Sequence, residues 1–310
     1  VSTPSPAETT TATSQAAEAA TTESTQAPEQ TTATTESWTP TATLDTSNAI
    51  ATGGSVGNSN IGNNKKGMIW PNGDWEMDIR KYSGFSWYWS WEHAASGWAK
   101  GTNYVPQYWG PGKLSQFQDQ QANNWQGQSV THVMFFNEPD LQDSSLGSGT
   151  DPAAAVDDWI NNYAPLRDQG YKLGSAAPCG RNHEWTKQFE SACQARGYGN
   201  RCLADFITTH VYAATVDDFI ASVTNTYNLN GQRPVWVTEY ACHDFNGKQC
   251  ADPAAFVAAV GQWMDQQPWV ERYSIFGAIS DLHGVSEQNA LMNPWSPYDP
   301  TSLWWTYVSA

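Results

Sequence analysis

The sequence predicts a (β/α)8 TIM barrel with reduced early helices, preceded by a disordered Ser/Thr-rich tail. Three observations predict it. Eight short apolar or aromatic runs recur from residue 65 onward, capped helical segments separate the later ones, and the 246 residues from 65 to 310 suit one large α/β barrel. The first 64 residues differ in kind. They hold no Lys or Arg, a single aromatic residue (Trp38), and 22 Ser or Thr among the first 50 positions. Such a stretch buries too little apolar surface to offset its ordering entropy. Residues 1–64 are therefore expected to be a Ser/Thr/Pro segment grading into a Gly/Asn-rich linker, and residues 65–310 the barrel domain. Ser and Thr with interspersed Pro match an O-glycosylated stalk, although no Asn-x-Ser/Thr sequon occurs.

The strand candidates follow in order: 67–71 (GMIWP), 85–91 (FSWYWSW), 103–110 (NYVPQYWG), 131–139 (THVMFFNEP), 172–178 (KLGSAAP), 206–213 (FITTHVYA), 233–241 (RPVWVTEYA) and 273–280 (YSIFGAIS). Between the later ones lie segments with apolar residues at helical spacing and Asp, Asn or Thr at their starts. Asp151-Pro152 and Asp252-Pro253 each suit a cap followed by a pre-set first turn. A last helix is expected from Thr301 to the C-terminus. The connections between the first three strands are short, so their helices are expected to be vestigial.

Charge and cysteine usage narrow the chemistry. The net charge is −16, and removing the six acids of the tail leaves 25 acidic against 15 basic residues on the domain. No basic stripe exists to neutralise a nucleic-acid backbone or an anionic bilayer, so a neutral or cationic ligand is expected. No apolar run reaches the 18 residues of a membrane span, and the N-terminus shows no signal peptide, which implies removal or omission of any leader. HExxH and CxxC patterns are absent; neither a metal nor another cofactor is expected, and the protein is expected to be a monomer. Five cysteines can form two disulfides in fifteen ways. The spacing favours Cys193 with Cys202 and Cys242 with Cys250, pinning excursions beside the site and leaving Cys179 over.

A barrel puts its reactive groups at the C-terminal ends of its strands. Glu138 closes the fourth run and Glu239 the seventh, 101 residues apart in sequence but on strands whose ends can face one another. Paired acids across a sugar-sized gap are what glycosidic hydrolysis requires: one protonated to assist the leaving oxygen, one ionised to attack or to activate water. Asn137 beside Glu138 is placed to bond a sugar hydroxyl. The 17 tryptophans are the other signal, many of them at the same strand ends. Trp70, Trp87, Trp89, Trp91, Tyr108, Trp109 and Tyr240 are expected to form a polysaccharide groove, because flat rings suit the apolar faces of pyranoses. By period two, Trp87, Trp89 and Trp91 share one face of their strand and Tyr88 takes the other. Trp185 is a weaker candidate, and Trp304 or Trp305 is expected to clamp the final helix.

With VMFFNEPD, THVY and VTEYAC added to GMIWP, residues 66–308 resemble glycoside hydrolase family 128, the fungal-type endo-β-1,3-glucanases of the retaining barrel superfamily. The resemblance implies that Glu138 is the acid/base, Glu239 the nucleophile and Asn137 a substrate-orienting amide, with His210 and Tyr212 supporting the nucleophile. It implies endo-hydrolysis of β-1,3-glucan by double displacement in a secreted, extracellular or wall-associated protein, and a raised pKa for Glu138. From the residues alone, a β-1,4-glucanase or mannanase on the same barrel stays open. A non-catalytic β-glucan-binding wall protein is disfavoured because both acids are present.

Overall fold

Every one of the eight apolar runs overlaps a strand. The computed structural model describes residues 65–72, 85–91, 95, 102–125, 127–180, 183–293 and 299–310. The predicted tail, the connection 73–84 and most of 92–102 lie outside the described residues. The strands are β1 (Lys66–Ile69), β2 (Trp87–Trp89), β3 (Asn103–Val105), β4 (His132–Val133), β5 (Lys172–Leu173), β6 (Ile207–Tyr212), β7 (Val235–Ala241) and β8 (Val270–Ile275). All pairings between them are parallel, in the order β3-β2-β1-β8-β7-β6 with a separate β4-β5 pair. Single parallel bridges, Gln107 to Met134 and Gly174 to Phe206, join that pair to β3 and β6 and close the ring.

The helices are α1 (Leu114–Asn123), α2 (Pro152–Asp158), α3 (Glu184–Ala195), α4 (Val216–Leu229), α5 (Pro253–Gln266) and α6 (Ser302–Ser309). Both Asp-Pro starts behave as expected. Asp151 accepts from the amides of Ala153 and Ala154, and Asp252 from those of Ala254 and Ala255, with proline in the first turn. Thr301 caps α6 through the amide of Trp304. Helix α1 carries no apolar stripe to mark it in the sequence: it is polar, and among its residues only Phe117 is buried.

Side chains sort into an interior and two outer layers. Ile69, Trp87, Trp89, Val105, Phe206 and Trp236, contributed by β1, β2, β3, β7 and the residue before β6, fill the interior. Met68, Tyr88 and Tyr104 point outward to α4, α5 and α6, and Val133 and Leu173 to α1, α2 and α3. Bulky rings fit inside because glycines face them: a Cβ on Gly67 would enter the Trp87 ring, and one on Gly174 would sit 2.6 Å from Phe206. The guanidinium of Arg272 lies 4.3 Å from the Trp236 ring centroid and 5.4 Å from that of Trp87, while donating to Asn103 Oδ1 at 2.7 Å. Each buried aromatic removes about 150–250 Å² from water, or about 4–6 kcal/mol at about 25 cal/mol per Å². Much of the tryptophan signal in the sequence therefore belongs to the core.

Candidate active site

Glu239 reaches the interior because β7 carries one extra residue. Val235 and Val237 face the helices and Trp236 faces in, so strict alternation would send Glu239 outward with the valines. Against β6, however, Thr209 pairs with Val237 and the next residue, His210, pairs with Glu239. Thr238 is thus bulged, which turns Glu239 inward and Tyr240 outward. Ser274 Oγ donates to the bulged carbonyl of Thr238 at 2.5 Å and accepts from Trp89 Nε1 at 2.9 Å.

Glu138 arrives by a different route. Beyond β4 the chain stays bonded to its neighbours, Asn137 N to Trp109 O at 2.9 Å and Glu138 N to Ala177 O at 3.0 Å. Glu138 itself has φ 37°, in the left-handed region that costs a non-glycine residue about 1–3 kcal/mol. The following loop holds it there. Ser148 N donates to Asn137 O at 2.8 Å, Thr150 N to Pro139 O at 2.9 Å, and Asn137 Nδ2 to Leu146 O at 2.8 Å. Gly147 packs so closely that a methyl group there would lie 2.5 Å from Glu138 O.

Between the two carboxylates stands His210 of β6. Its Nδ1 is 2.7 Å from Glu138 Oε1 and its Nε2 is 3.4 Å from Glu239 Oε1. Glu239 also accepts from Trp91 Nε1 at 2.8 Å and from the Tyr212 hydroxyl at 2.6 Å. Burial pushes the Glu239 carboxyl up and Glu138 adds to this; His210, Tyr212 and Trp91 pull it down, and the net pKa is above the ordinary glutamate value. For His210 burial acts downward, but the two glutamates outweigh it and hold the imidazole above 6.5. Burial, then Glu138 and Asp140, push the thiol of Cys179 well up, which leaves it a poor nucleophile.

These groups line a cavity of about 650 Å³, the size of a small-molecule site. Asn137, Glu138, His210, Tyr212, Glu239 and Trp109 all contribute, as do Trp91, Phe245 and Phe276. Ligand atoms of Glu138, His210 and Glu239 lie within 4.8 Å of one another, the one such group among the described residues able to offer three donors to a metal ion. The donor chemistry disfavours coordination. His210 Nδ1 is committed to Glu138 Oε1, and each Glu239 oxygen already accepts a short hydrogen bond.

Five of the rings expected in the groove are elsewhere. Trp87 and Trp89 lie inside the barrel at 0% exposure, below the site; Trp87 Nε1 donates to Lys65 O. Trp70 and Tyr240 pack outward under the helices. Tyr108 is in the α1–α3 layer, its hydroxyl donating to Asp158 at 2.6 Å. For Trp70, Tyr240 and Tyr108 the physical reason is strand parity, which turns them to the helices, whereas Trp87 and Trp89 point inward but lie deeper along the barrel than the cavity. Trp185 is buried as well, stacked on Phe189. Trp304 packs against Phe85 and clamps α6, whereas Trp305 faces out. Both expected disulfides are present, but only Cys242–Cys250 encloses residues of the cavity. Phe245 and Phe276 were missed; a signal for Phe245 was its place in the Cys242–Cys250 loop, four residues beyond the strand that carries Glu239.

A family model described as the glycosyl hydrolase catalytic core matches residues 67–307. The chain belongs to this family. No curated protein matches this glycosyl hydrolase. Among solved structures it resembles a family 128 (subgroup V) exo-β-1,3-glucanase from Cryptococcus neoformans, at 27% identity and TM-score 0.64 over 79% of this chain and 98% of the other. It likewise resembles a subgroup I endo-β-1,3-glucanase from Amycolatopsis mediterranei in complex with laminaritriose, at 25% identity and TM-score 0.63 over 79% and 99%. A curdlan-specific subgroup III exo-β-1,3-glucanase from Blastomyces gilchristii, in complex with glucose, shares the fold at 24% identity and TM-score 0.60 over 80% and 99%. The glycosyl hydrolase has the fold of family 128. Among its described residues no helix is long and apolar enough to cross a membrane.

Proposed function

We propose that the protein is a secreted endo-β-1,3-glucanase of the fungal type that retains anomeric configuration. The observation that carries the reading is the pair Glu138 and Glu239, with one carboxylate oxygen of each within 4.8 Å of the other's in a ring-lined cavity. Retaining enzymes keep their carboxyl groups about 5–5.5 Å apart, whereas inverting enzymes need about 6.5–9.5 Å to admit water. Glu239 suits the nucleophile: it is the more buried acid, and two donors, Trp91 and Tyr212, together with the charge of His210 favour its ionised form. Glu138 suits the acid/base, protonating the leaving oxygen and then activating the water that releases the glycosyl-enzyme. Asn137 is the candidate for the sugar hydroxyl next to the reacting carbon.

Endo action is supported by the relief around the cavity. A second hollow of about 520 Å³ begins at Pro139 and Gly180, one residue past Glu138 and Cys179. A third, of about 330 Å³, shares Asp244 and Phe245 with the catalytic cavity on the β7–β8 side. Neighbouring hollows are what the further sugar units of a long chain need. Secretion is supported by two disulfides and the Ser/Thr-rich tail, both at home outside the reducing cytosol.

The test incubates purified protein with laminarin, curdlan and cellulose and analyses products by size and anomeric configuration, before and after Glu138→Gln and Glu239→Gln. A ladder of laminari-oligosaccharides with retained configuration is expected, lost in both variants. A single released sugar would reject endo action, and undiminished hydrolysis in either variant would reject the assignment of that acid.

A further inference from the structure

We propose that the two disulfides have separate duties: Cys242–Cys250 serves substrate binding by holding Phe245 against Tyr212 at the rim of the cavity, and Cys193–Cys202 serves the fold. This rests on the reading of the cavity as the glucan site. Phe245 is 62% exposed, more than any other large apolar side chain among the described residues, yet its loop is tied down at many points. The disulfide closes both ends. Ser286 N donates to His243 Nδ1 at 3.3 Å, and Lys248 Nζ pairs with Asp218 at 2.5 Å. Inside the loop Asp244 Oδ1 accepts from Asn246 N at 2.7 Å, and Gly247 turns the chain back at φ 93° with its amide on Asp244 O.

What these ties position is the ring of Phe245, edge-on to Tyr212 at 5.3 Å and to His243 at 4.4 Å. Tyr212 is braced from another side by Phe276 at 5.7 Å, and its hydroxyl donates to Glu239. The loop therefore sets both an apolar wall of the cavity and the support of a donor to Glu239. Cys193 and Cys202 sit otherwise. They are buried where the last turn of α3 meets the short helix Gly199–Cys202, within the α1–α3 layer, and neither lines the cavity.

The experiment measures KM, kcat and thermal midpoint on laminarihexaose for Cys242→Ser with Cys250→Ser, for Cys193→Ser with Cys202→Ser, for Phe245→Ala, and for Phe245→Ala in the first background. Loss of Cys242–Cys250 is expected to raise KM about 5-fold, the size of one aromatic contact, with a smaller fall in kcat. Phe245→Ala should raise KM equally, and the combination no further, because both remove the same wall. Loss of Cys193–Cys202 should lower the midpoint and leave KM unchanged. Unchanged KM without Cys242–Cys250, or effects that simply multiply in the combination, would overturn the proposal. Should that variant not fold, Phe245→Ala in the intact protein decides, and an unchanged KM rejects it. Failure of the unaltered protein to cleave any β-1,3-glucan would instead reject the reading of the site. The loop is then tested by calorimetric binding of laminarihexaose, with the same expected rise in Kd.

Discussion

His210 Nδ1 lies 2.7 Å from Glu138 Oε1, inside the barrel mouth and at the edge of reach of a second carboxylate. A buried imidazole in that position is held protonated above its ordinary value of 6.5. Its folded pKa is raised, so its contribution to stability is complete below about pH 6.5 and is lost as pH rises through the folded value. The thermal midpoint is accordingly expected to fall from pH 6.5 upward. His210→Gln should flatten that slope and lower stability at pH 6 by about 1.5–3 kcal/mol, the worth of a hydrogen bond to a charged group. Melting curves between pH 5 and 9 check both.

Tyr212→Phe removes the donor to Glu239 Oε2 without emptying the ring's place. The hydroxyl pulls the Glu239 pKa down, so its loss raises a value that burial already holds high. An attacking carboxylate must be ionised, and the acid limb of kcat/KM should therefore move to higher pH by about 1–2 units. A limb that stays in place would show that Glu239 does not govern it.

Trp89→Phe should lower kcat about 10-fold or more while leaving KM near its original value, although Trp89 never reaches the cavity. The indole bonds Ser274, and Ser274 holds the bulged carbonyl of Thr238 that aims Glu239. Misplacement of a reacting group by about 1 Å costs about 100-fold. Ser274→Ala should show the same split, measured on laminarin in parallel.

Gly147→Ala drives a methyl group to 2.5 Å from the carbonyl of Glu138 and is expected to cut kcat/KM at least about 10-fold. Gly112→Ala is the control: it has no atom within 4 Å of the added carbon, and its activity and midpoint should match the unaltered protein.

The sequence exposed the barrel well and the groove poorly, for different reasons. Strand runs and Asp-Pro caps are local signals, carried by hydrophobicity and by one side chain bonding two amides, so eight strands and the starts of α2 and α5 were readable. Strand-end position likewise picked out Glu138 and Glu239, and the family resemblance added His210 and Tyr212; the fold brings the four together. Aromatic identity carries no such address. Trp91 and Trp109 reach the cavity while Trp87 and Trp89 stop beneath it, and what separates them is depth along the barrel axis, a tertiary coordinate. Phe245 depends on a loop whose path is set by a disulfide and two distant anchors, Asp218 and Ser286.

The bulge at Thr238 has a consequence for change in chain length. Substitutions along β7 alter what a side chain is, whereas gaining one residue between Trp236 and Glu239, with the single bulge kept, alters where every later side chain goes. The carboxylate would then be delivered into the apolar layer beside Val235, Val237 and Phe219, without a donor, and Tyr240 would take its place over the cavity. A single-codon insertion here is thus expected to do more damage than any single replacement of Thr238, because the strand encodes its reacting group by count.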